Sequence, residues 1–407
     1  MATLTISQVL GSAMLATALL VSQQVSPANA ADLKGHPTAP GQGAKVDQKD
    51  QTPGAKGKQV PGEYIVTVRD GHAPRGLAKE IGASPKYVYT AVLNGFSAKL
   101  TDKQAEKLRR HPHVVAVEPN YEVEGDGTQI IPASGQPWGL DRIDQRSNTR
   151  NLAYNYWGTG TGVTAYILDS GIDTTHADFG GRAKNVWDGI GDGRAGMDCH
   201  GHGTHVAGTV GGAKYGVAKN VRLRGVRILD CNNRGNTDVW IAAVEWVRLN
   251  AVKPAVANMS VGAPKTLALN TAVTNLTKSG VFVAVAAGND NQNACNYSPA
   301  SAAGTLTVAS SDYKDTKAYD SNWGGCVDLY APGVNIASSR LGGGEWIMSG
   351  TSMATPHVAG VAALIKGDYG DVASPDLVTY IVSYSTRSAI YGNVTGTPNM
   401  LLFQAGW

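Results

Sequence analysis

The segment Gly350-Thr351-Ser352-Met353-Ala354-Thr355-Pro356-His357-Val358-Ala359-Gly360 places a serine between a Gly-Thr turn and an apolar run. The run from Val358 to Ile365 predicts a buried helix, and Pro356 fits such a helix only in its first turn. Ser352 is therefore expected at a helix N-terminus, where unpaired backbone N–H groups can bind a developing negative charge. Considered alone, the serine is far more typical of a residue that only caps its helix.

The chain around this segment has 407 residues, which is enough for two or three domains. Its 50 glycines and 16% charged residues are typical of a compact, loop-rich enzyme rather than a coiled coil or a disordered chain. From Asp126 onward, 21 Lys and Arg balance 21 Asp and Glu, so the net charge of +3 lies before that point. A neutral main body gives no electrostatic reason to expect binding to nucleic acid or to an anionic membrane.

The first 59 residues predict a leader followed by a linker. Residues 1–30 contain an apolar stretch, Val9 to Val21, and end in Ala28-Asn29-Ala30, a cleavage pattern that would release Ala31 as a secreted N-terminus. No Lys or Arg precedes Lys34, so the usual positive n-region is missing, and the apolar stretch is too short to span a bilayer. Residues 31–59 are rich in Gly, Pro, Lys and Gln and predict a flexible linker.

Residues 60–125 predict a small α+β domain of the ferredoxin-like type. Alternating apolar and polar residues indicate strands, and helical periodicity lies between them, in the order βαββαβ. The strands are expected at 63–68, 87–100 with an interruption at Asn94-Gly95, and 114–117; the helices are expected at 73–81 and 101–110, the second capped by Thr101. Because this unit precedes a candidate nucleophile in an exported chain, we interpret it as a pro-segment.

Residues 126–407 predict an α/β domain with a doubly wound, mostly parallel sheet and helices on both faces. Nearly continuous apolar strands alternate with helical stretches, which is typical of a parallel sheet that is covered on both sides. The strands are expected at 163–168, 222–228, 255–259 and 281–286, and the helices at 204–210, 238–252 and 267–279. Ligands of such domains bind at the carboxyl ends of the strands.

Three polar residues stand at positions that suit catalysis. Asp169 directly follows the strand at 163–168, His202 precedes a glycine and a predicted helix start, and Asn289 follows the strand at 281–286. Each has a simpler interpretation as a turn or loop residue when it is taken alone. A carboxylate can orient an imidazole, and an amide can donate a hydrogen bond to an oxyanion.

The spacing of His200, His202 and His205 also suggests a metal site, and thus a metal-dependent hydrolase. This alternative is the weaker one, since no His-Glu-x-x-His occurs and no metal-binding residue neighbours the other histidines in sequence. We expect His205 to pack beneath the site.

Taken together, these motifs resemble the subtilisin-like serine proteases. The resemblance rests on Asp169-Ser170-Gly171, on the run from His202 to Gly208, and on the run from Gly350 to Ala354, in the chain order Asp, His, Ser of that family. Trp138-Gly139-Leu140-Asp141-Arg142-Ile143-Asp144-Gln145 and the cysteine positions look like the proteinase K branch, nearest to the aqualysin type. Residues 60–125 resemble the inhibitory propeptide of the family.

The resemblance implies a catalytic triad of Asp169, His202 and Ser352, with Asn289 in the oxyanion hole. A serine hydroxyl is a poor nucleophile at neutral pH, so His202 would take its proton and return it to the leaving amine. Asp169 would fix the imidazole tautomer, and Asn289 with the Ser352 backbone N–H would hold the oxyanion.

Substrate contacts are likewise implied by the resemblance. Gly235 and Asn236, in Arg234-Gly235-Asn236, and the segment Ser260, Val261 and Gly262 would pair with an extended peptide, which gives broad specificity. Ala286, Ala287 and Gly288 would line a pocket for large apolar or aromatic side chains before the cleaved bond. Ala263 stands where the family commonly has a second glycine, which leaves the pocket width open.

The four cysteines allow three pairings. The resemblance selects Cys199 with Cys231 and Cys295 with Cys326, each closing a loop of about 30 residues and worth about 3–4 kcal/mol in an oxidising compartment.

A structural calcium ion is implied as well. Asp328, with the carbonyl groups of Ala303 and Thr305, matches ligand positions of the proteinase K branch, and oxygen ligands suit calcium. The weaker candidates are Asp141, Asp144, Asp188 and Asp192, for which solvated carboxylates are an equal alternative.

The sequence therefore predicts a secreted, monomeric serine endopeptidase that is made as a self-processing precursor inhibited by its own propeptide, with the mature chain starting near Asp126 to Pro132. A catalytically silent relative is disfavoured because all four chemical groups are present. An α/β-hydrolase esterase is disfavoured because Ser352 lacks the G-x-S-x-G setting.

Overall fold

Two sheets carry the architecture of the chain in a computed structural model, which describes residues 58–124, 128–129, 137–149 and 151–405. The predicted leader and most of the predicted linker lie outside the described residues. The strands are β1 (Lys58–Val68), β2 (Pro85–Tyr89), β3 (Gly95–Lys99), β4 (Val114–Glu124), β5 (Thr128–Gln129), β6 (Thr164–Asp169), β7 (Ala183–Asp188), β8 (Arg222–Arg227), β9 (Arg234–Asn236), β10 (Ala255–Met259), β11 (Ala263–Pro264), β12 (Phe282–Ala286), β13 (Tyr297–Ser298), β14 (Leu306–Ser311), β15 (Leu329–Pro332), β16 (Ile336–Ser339), β17 (Glu345–Ser349), β18 (Thr386–Arg387) and β19 (Met400–Leu401).

Eight α-helices connect these strands within the described residues. They are α1 (Pro74–Glu80), α2 (Asp102–Arg109), α3 (Trp138–Ile143), α4 (His202–Gly211), α5 (Thr237–Asn250), α6 (Leu267–Lys278), α7 (Thr351–Tyr369) and α8 (Ser374–Tyr384), and short 3-10 helices occur at Ala177–Phe179 and Ala294–Asn296. None of the helices in the described part of the chain is long and apolar enough to cross a bilayer.

The N-terminal domain has the predicted βαββαβ order, with antiparallel strands in the spatial order β2-β3-β1-β4. Thr101 caps α2 in a complete capping box with Gln104, as a Thr followed three residues later by Gln predicts. The apolar positions of both helices and of the strands form a core of their own. β1 begins at Lys58, two residues inside the predicted linker, because Lys58 and Gln59 pair with Glu122 and Tyr121 of β4.

The central sheet of the C-terminal domain has nine strands in the order β18-β19-β15-β14-β12-β10-β6-β8-β7. Its ladders are parallel except for the edge pair of β18 and β19, which confirms the predicted fold class. The chain leaves β6 toward β7 and β8 on one side and returns to β10 on the other. This change of direction puts Asp169, the last residue of β6, at the point where α/β sheets bind ligands.

Helices cover both faces of this sheet and divide its core in two. On one face α4 and α7 pack through small and branched side chains such as Val206, Val210, Ala354 and Val358. On the other face α5 and α6 pack through a second group that includes Trp240 and Leu269. α4 and α7 also contact each other on this face.

Helix α7 differs from its prediction at its start. It begins at Thr351, one residue before Ser352, so Pro356 lies in its second turn and not in the first. Pro356 has no N–H with which to bond the carbonyl of Ser352. The hydroxyl of Ser260 donates to that carbonyl at 2.8 Å instead, so the helix continues without an unpaired buried group.

Both disulfides form as the resemblance implies, between Cys199 and Cys231 and between Cys295 and Cys326. The first joins the loop before α4 to the loop before β9. The second joins the 3-10 helix at Ala294–Asn296 to the segment that leads into β15.

Candidate active site

The ends of β6 and α4 bring a carboxylate and an imidazole into direct contact. Nδ1 of His202 donates to Oδ1 of Asp169 at 2.7 Å, and both side chains are fully buried. The same oxygen accepts the backbone N–H of Ser170 at 2.7 Å. Since a carboxylate only accepts here, Asp169 holds the imidazole in the Nδ1–H tautomer.

Glycine at position 203 permits this contact. A Cβ atom built on Gly203 would lie 2.2 Å from the carbonyl oxygen of Gly171 and 3.1 Å from the side chain of Asp169. Any larger residue would therefore push the start of α4 away from β6. This close approach explains why a glycine follows His202 in the sequence.

Ser352 is the second residue of α7 and is fully buried beside Ser260. Its hydroxyl donates to the carbonyl oxygen of Ser260 at 3.2 Å, while the Ser260 hydroxyl donates to the carbonyl oxygen of Ser352. These reciprocal bonds fix the nucleophile candidate against the segment predicted to bind substrate. Gly350, with a φ of 143°, forms the turn that aims the helix start at the cleft.

Asn289 lies beside this helix start, as predicted. Its Oδ1 accepts the N–H of Thr351 at 2.8 Å, which orients its amide group against the turn before Ser352. Its loop is held by the buried Asn322, whose side chain bonds to the backbone of Ala287, Asp290 and Gln292. The oxyanion candidate therefore rests on a rigid loop.

The histidines do not form the alternative metal site. Nε2 of His205 donates to the carbonyl oxygens of Ile336 and Trp346, and burial lowers the pKa of His205 to about 3. Desolvation, followed by the neighbouring His202, also lowers the pKa of His200. Among the described residues the only cluster of three potential ligands is Asp192 with Cys199 and Cys231, and those cysteines form a disulfide. His205 thus packs beneath the site, as expected.

The predicted substrate segments follow or form strands of the C-terminal domain. Gly235 and Asn236 lie in β9, Ser260 to Gly262 follow β10, and Ala286 to Gly288 follow β12. Gly288 donates its N–H to the hydroxyl of Thr351 at 3.2 Å, so the pocket segment touches the start of α7. Ala263, which stands in place of the family's second glycine, is buried. Its methyl group packs into the core around α5 and α6.

The N-terminal domain pairs with one of these predicted substrate segments. Its last strand, β4, pairs antiparallel with β9, matching Glu122 to Asn236, Val123 to Gly235 and Glu124 to Arg234. β4 also contacts β11, which follows the other predicted substrate segment. A few residues later, β5 pairs antiparallel with β17, the strand that leads into Ser352. β4 and β5, on either side of residues 125–127, are thus both paired with strands of the C-terminal domain.

Family comparisons agree with this geometry. Residues 160–407 match the Subtilase family and residues 63–126 match the family described as Peptidase inhibitor I9. The first match covers more than half of the chain. The protein is a subtilase. Its sequence therefore encodes a serine protease preceded by an inhibitor domain, and the resemblance found in the sequence is confirmed.

Relatives of this subtilase are similar over most of their length. An extracellular serine proteinase of Thermus sp. (strain Rt41A) is 41% identical over 371 residues, which is 84% of this chain and 90% of the relative. An alkaline serine protease of Corniculantispora psalliotae is 41% identical over 358 residues, or 86% and 92% of the two chains. The crystal structure of a cold adapted subtilisin-like serine proteinase matches with a TM-score of 0.65 and 46% identity, covering 67% of this chain and 99% of that one.

Three polar contacts between the inhibitor domain and the subtilase domain were not predicted. Glu118 accepts the N–H groups of Leu267 and Ala268 at the start of α6, and Asn120 accepts the hydroxyl of Thr237 and the N–H of Asp238 at the start of α5. In the opposite direction, the buried Glu245 on α5 accepts backbone N–H groups of Thr90, Ala91 and Val92. These partners are more than 100 residues apart, so no local pattern marks them.

Proposed function

We propose that Asp169, His202 and Ser352 form the catalytic triad of this subtilase and that Asn289 and the N–H of Ser352 form its oxyanion hole. The observation that carries the proposal is the buried Asp169–His202 pair, supported by the docking of β4 on β9 and of β5 on β17, the strand that leads into Ser352. A fixed pair of this kind needs no reorganisation when charge develops on the imidazole.

In the proposed reaction, the Ser352 hydroxyl attacks the peptide carbonyl as His202 takes its proton. Asp169 stabilises the imidazolium through the 2.7 Å bond at Nδ1. The amide of Asn289 and the Ser352 N–H donate to the oxygen of the tetrahedral intermediate, and His202 then protonates the leaving amine. Water repeats the sequence on the acyl-enzyme.

We infer broad specificity, with a preference for large apolar or aromatic residues before the cleaved bond. Backbone pairing with β9 is independent of side-chain identity, as the pairing of β4 illustrates. Ala286, Ala287 and Gly288 offer a small apolar wall to the residue before the bond.

We also infer that the precursor cuts itself and that residues 60–125 remain as an inhibitor. The segment between Glu124 and Thr128 is flanked by β4 on β9 and β5 on β17, which is the course of a substrate through the cleft. This range overlaps the start of the mature chain expected from the sequence, Asp126 to Pro132.

A serine-directed phosphonyl fluoride tests the proposed chemistry. We expect it to abolish peptidase activity and to modify Ser352, which peptide mapping by mass spectrometry would locate, while a zinc-selective chelator leaves activity intact. The reverse pattern of sensitivity would favour the metal-dependent hydrolase. Full activity after labelling of Ser352 would exclude Ser352 as the nucleophile and so contradict the proposed triad.

Inhibition by the N-terminal domain should depend on Glu245. Added as a separate chain, residues 58–124 should inhibit the mature enzyme, and Glu245→Ala should weaken inhibition about 30-fold, because about 2 kcal/mol is lost when buried N–H groups of the 90–92 loop lose their acceptor. The measurement is the inhibition constant on a peptide substrate. Asp376→Ala, an exposed change on α8, serves as the control. Equal inhibition of the wild type and Glu245→Ala would show that this contact does not hold the complex.

We further propose a structural calcium ion held by Asp328 with the carbonyl groups of Ala303 and Thr305. Two hydrogen bonds link Asp328 to Thr307, two residues after Thr305. Its Oδ2 accepts the N–H of Thr307 at 2.8 Å, and its own N–H donates to the Thr307 carbonyl at 2.9 Å. The donors are hard oxygens, which suit calcium. The ion would tie the start of β14 to that of β15.

Asp141 and Asp144 suit a second calcium ion. Oδ1 of Asp144 is buried without a hydrogen-bond partner among the described residues. Desolvation, together with repulsion from Asp141, raises the pKa of Asp144 even though Asn155 donates to its other oxygen. A nearby cation would remove both penalties.

Asp188 and Asp192 have a different partner. The buried Arg227 donates to both oxygens of Asp192 at 2.6 and 2.8 Å and contacts Asp188 at 3.4 Å. The hydrogen bond from Arg227 is the main cause that lowers the pKa of Asp192 to about 2. The sequence suggested these two as weak calcium candidates, but the position beside them is taken by a guanidinium group.

Chelation of calcium should lower the melting temperature of the mature enzyme. An ion present at 100 times its Kd stabilises the folded state by about 2.7 kcal/mol, which corresponds to about 5–10 °C in a domain of this size. Asp328→Asn and Asp144→Asn should each reduce this dependence, whereas Asp376→Asn should not. A melting temperature that is unaffected by chelation in the wild type would end the calcium proposal.

Relatives of the chain are extracellular proteinases, and we infer the same location here, with residues 1–30 as the secretory leader. The expected monomeric state stays a prediction.

A further inference from the structure

β17 carries an aromatic side chain beside the catalytic loop. Trp346 is half-buried, and a Cβ atom built on Gly201 would lie 2.7 Å from Cζ3 of its indole. Gly201 stands between His200 and His202. The indole therefore packs against the loop that presents the proposed general base, and Leu341 adjoins the same point at 3.4 Å.

The hairpin that bears Trp346 is firmly anchored. Nε2 of His205 donates to the carbonyl oxygen of Trp346 at 3.2 Å, one turn along α4 from His202. At the tip, Nε2 of His176 donates to the carbonyl oxygen of Gly344 at 3.0 Å, and Gly342 donates its N–H to Asp173 at 3.0 Å. These bonds fix the indole relative to the triad without using the triad itself.

The register of β5 on β17 shows how a peptide approaches this indole. Thr128 is opposite Ser349 and Gln129 is opposite Met348. Because the pair is antiparallel, a peptide that continues in this register places its next residues opposite Ile347 and then Trp346. The residue opposite Trp346 points its side chain to the same face of the sheet, within reach of the indole.

We propose that Trp346 is a specificity-determining residue for the leaving part of the substrate, and that it selects an apolar side chain a few residues after the cleaved bond. The inference rests on the proposed function, since it assumes that substrates follow the path of β4 and β5. The occupant is an extended peptide, because β17 is already paired with β16 on its other edge and offers only the edge that β5 uses. The aromatic platform and the neighbouring Leu341 favour leucine or an aromatic residue over glycine or a charged residue.

The test uses internally quenched peptides with one constant sequence before the cleaved bond. A single leucine is moved through each position after the bond, with glycine elsewhere. For wild-type mature enzyme we expect one position at which leucine raises kcat/KM about three- to tenfold, as a partly buried cross-strand contact predicts. Trp346→Ala should abolish this preference, and Trp346→Phe should retain most of it.

A p-nitroanilide with the same residues before the bond provides the matched control, because it has no leaving peptide. Its rate measures any effect of Trp346→Ala on the general-base loop, so the loss of preference is read from the ratio of peptide to p-nitroanilide hydrolysis. Trp157→Ala, a change at a tryptophan that is 87% exposed, should alter neither substrate. If no position after the bond shows a preference in the wild type, or if Trp346→Ala slows both substrate types equally, the inference is overturned.

If Trp346→Ala does not fold, the inference is still tested by the leucine series on the wild type and on Trp346→Phe. Hydrolysis of the p-nitroanilide without any preference after the bond refutes only this inference. Failure of the wild type to hydrolyse any of these substrates overturns the proposed function and the inference with it.

Discussion

Replacing Ser352 by alanine should lower peptidase activity about 10⁶-fold, since removal of the nucleophile from a subtilisin-type triad has an effect of that size. The change deletes only the hydroxyl that donates to the Ser260 carbonyl, and the fold of α7 depends on backbone contacts that remain. The measurement is kcat/KM on a p-nitroanilide. Both enzymes are refolded with the N-terminal domain supplied as a separate chain, so that neither needs to cut itself.

A matched control for this variant is Ser383→Ala on α8, where the exposed hydroxyl only donates to the carbonyl of Tyr380. It should retain full activity. Activity of Ser352→Ala within tenfold of the wild type would mean that another group is the nucleophile.

Replacing Asn289 by alanine should lower kcat about 10²–10³-fold and leave KM nearly unchanged. The reason is that an oxyanion donor acts on the transition state, where the carbonyl oxygen carries charge, and little on the bound substrate. In free energy this is about 2.7–4 kcal/mol of transition-state stabilisation. The measurement is a full rate curve for wild type and variant on one peptide substrate.

The control for Asn289→Ala must separate loss of the donor from loss of loop structure. Asn399 clamps a loop in a similar way, through bonds from its amide to the backbone of Ile390, and lies outside the site. Asn399→Ala should lower the melting temperature but not kcat. If Asn289→Ala instead raises KM with kcat unchanged, Asn289 binds substrate and is not an oxyanion donor.

The sequence predicted the groups that stand at ends of strands and helices. Asp169 ends β6, His202 begins α4 and Ser352 lies at the start of α7, as the strand or helix pattern next to each residue indicated. Such positions can be predicted because they depend on local periodicity and on the rule that parallel strands present their carboxyl ends together.

Features that depend on contacts across the fold escaped prediction. The start of α7 was placed too late because the Ser260 hydroxyl, 92 residues away, replaces the hydrogen bond that Pro356 lacks. Arg227 pairs with Asp192 and thereby removes a calcium candidate whose sequence context shows no such partner. The role of Glu245 at the inhibitor interface and the place of Trp346 beside Gly201 likewise follow from packing alone.

The docked inhibitor domain links these parts of the account. It adds β4 to β9, the strand that would receive substrate, and β5, which follows it in the chain, pairs with β17 just before the buried Ser352. We therefore expect maturation by this route to need no other protease.

The intact mass of the purified precursor, followed over time for wild type and Ser352→Ala, tests this account most directly. We predict that the wild type separates into two chains by a cut between Glu124 and Thr128, and that Ser352→Ala stays whole under the same conditions. Equal cutting of both proteins, or a wild type that never cuts itself, would contradict the claim that Ser352 acts on the chain that crosses it.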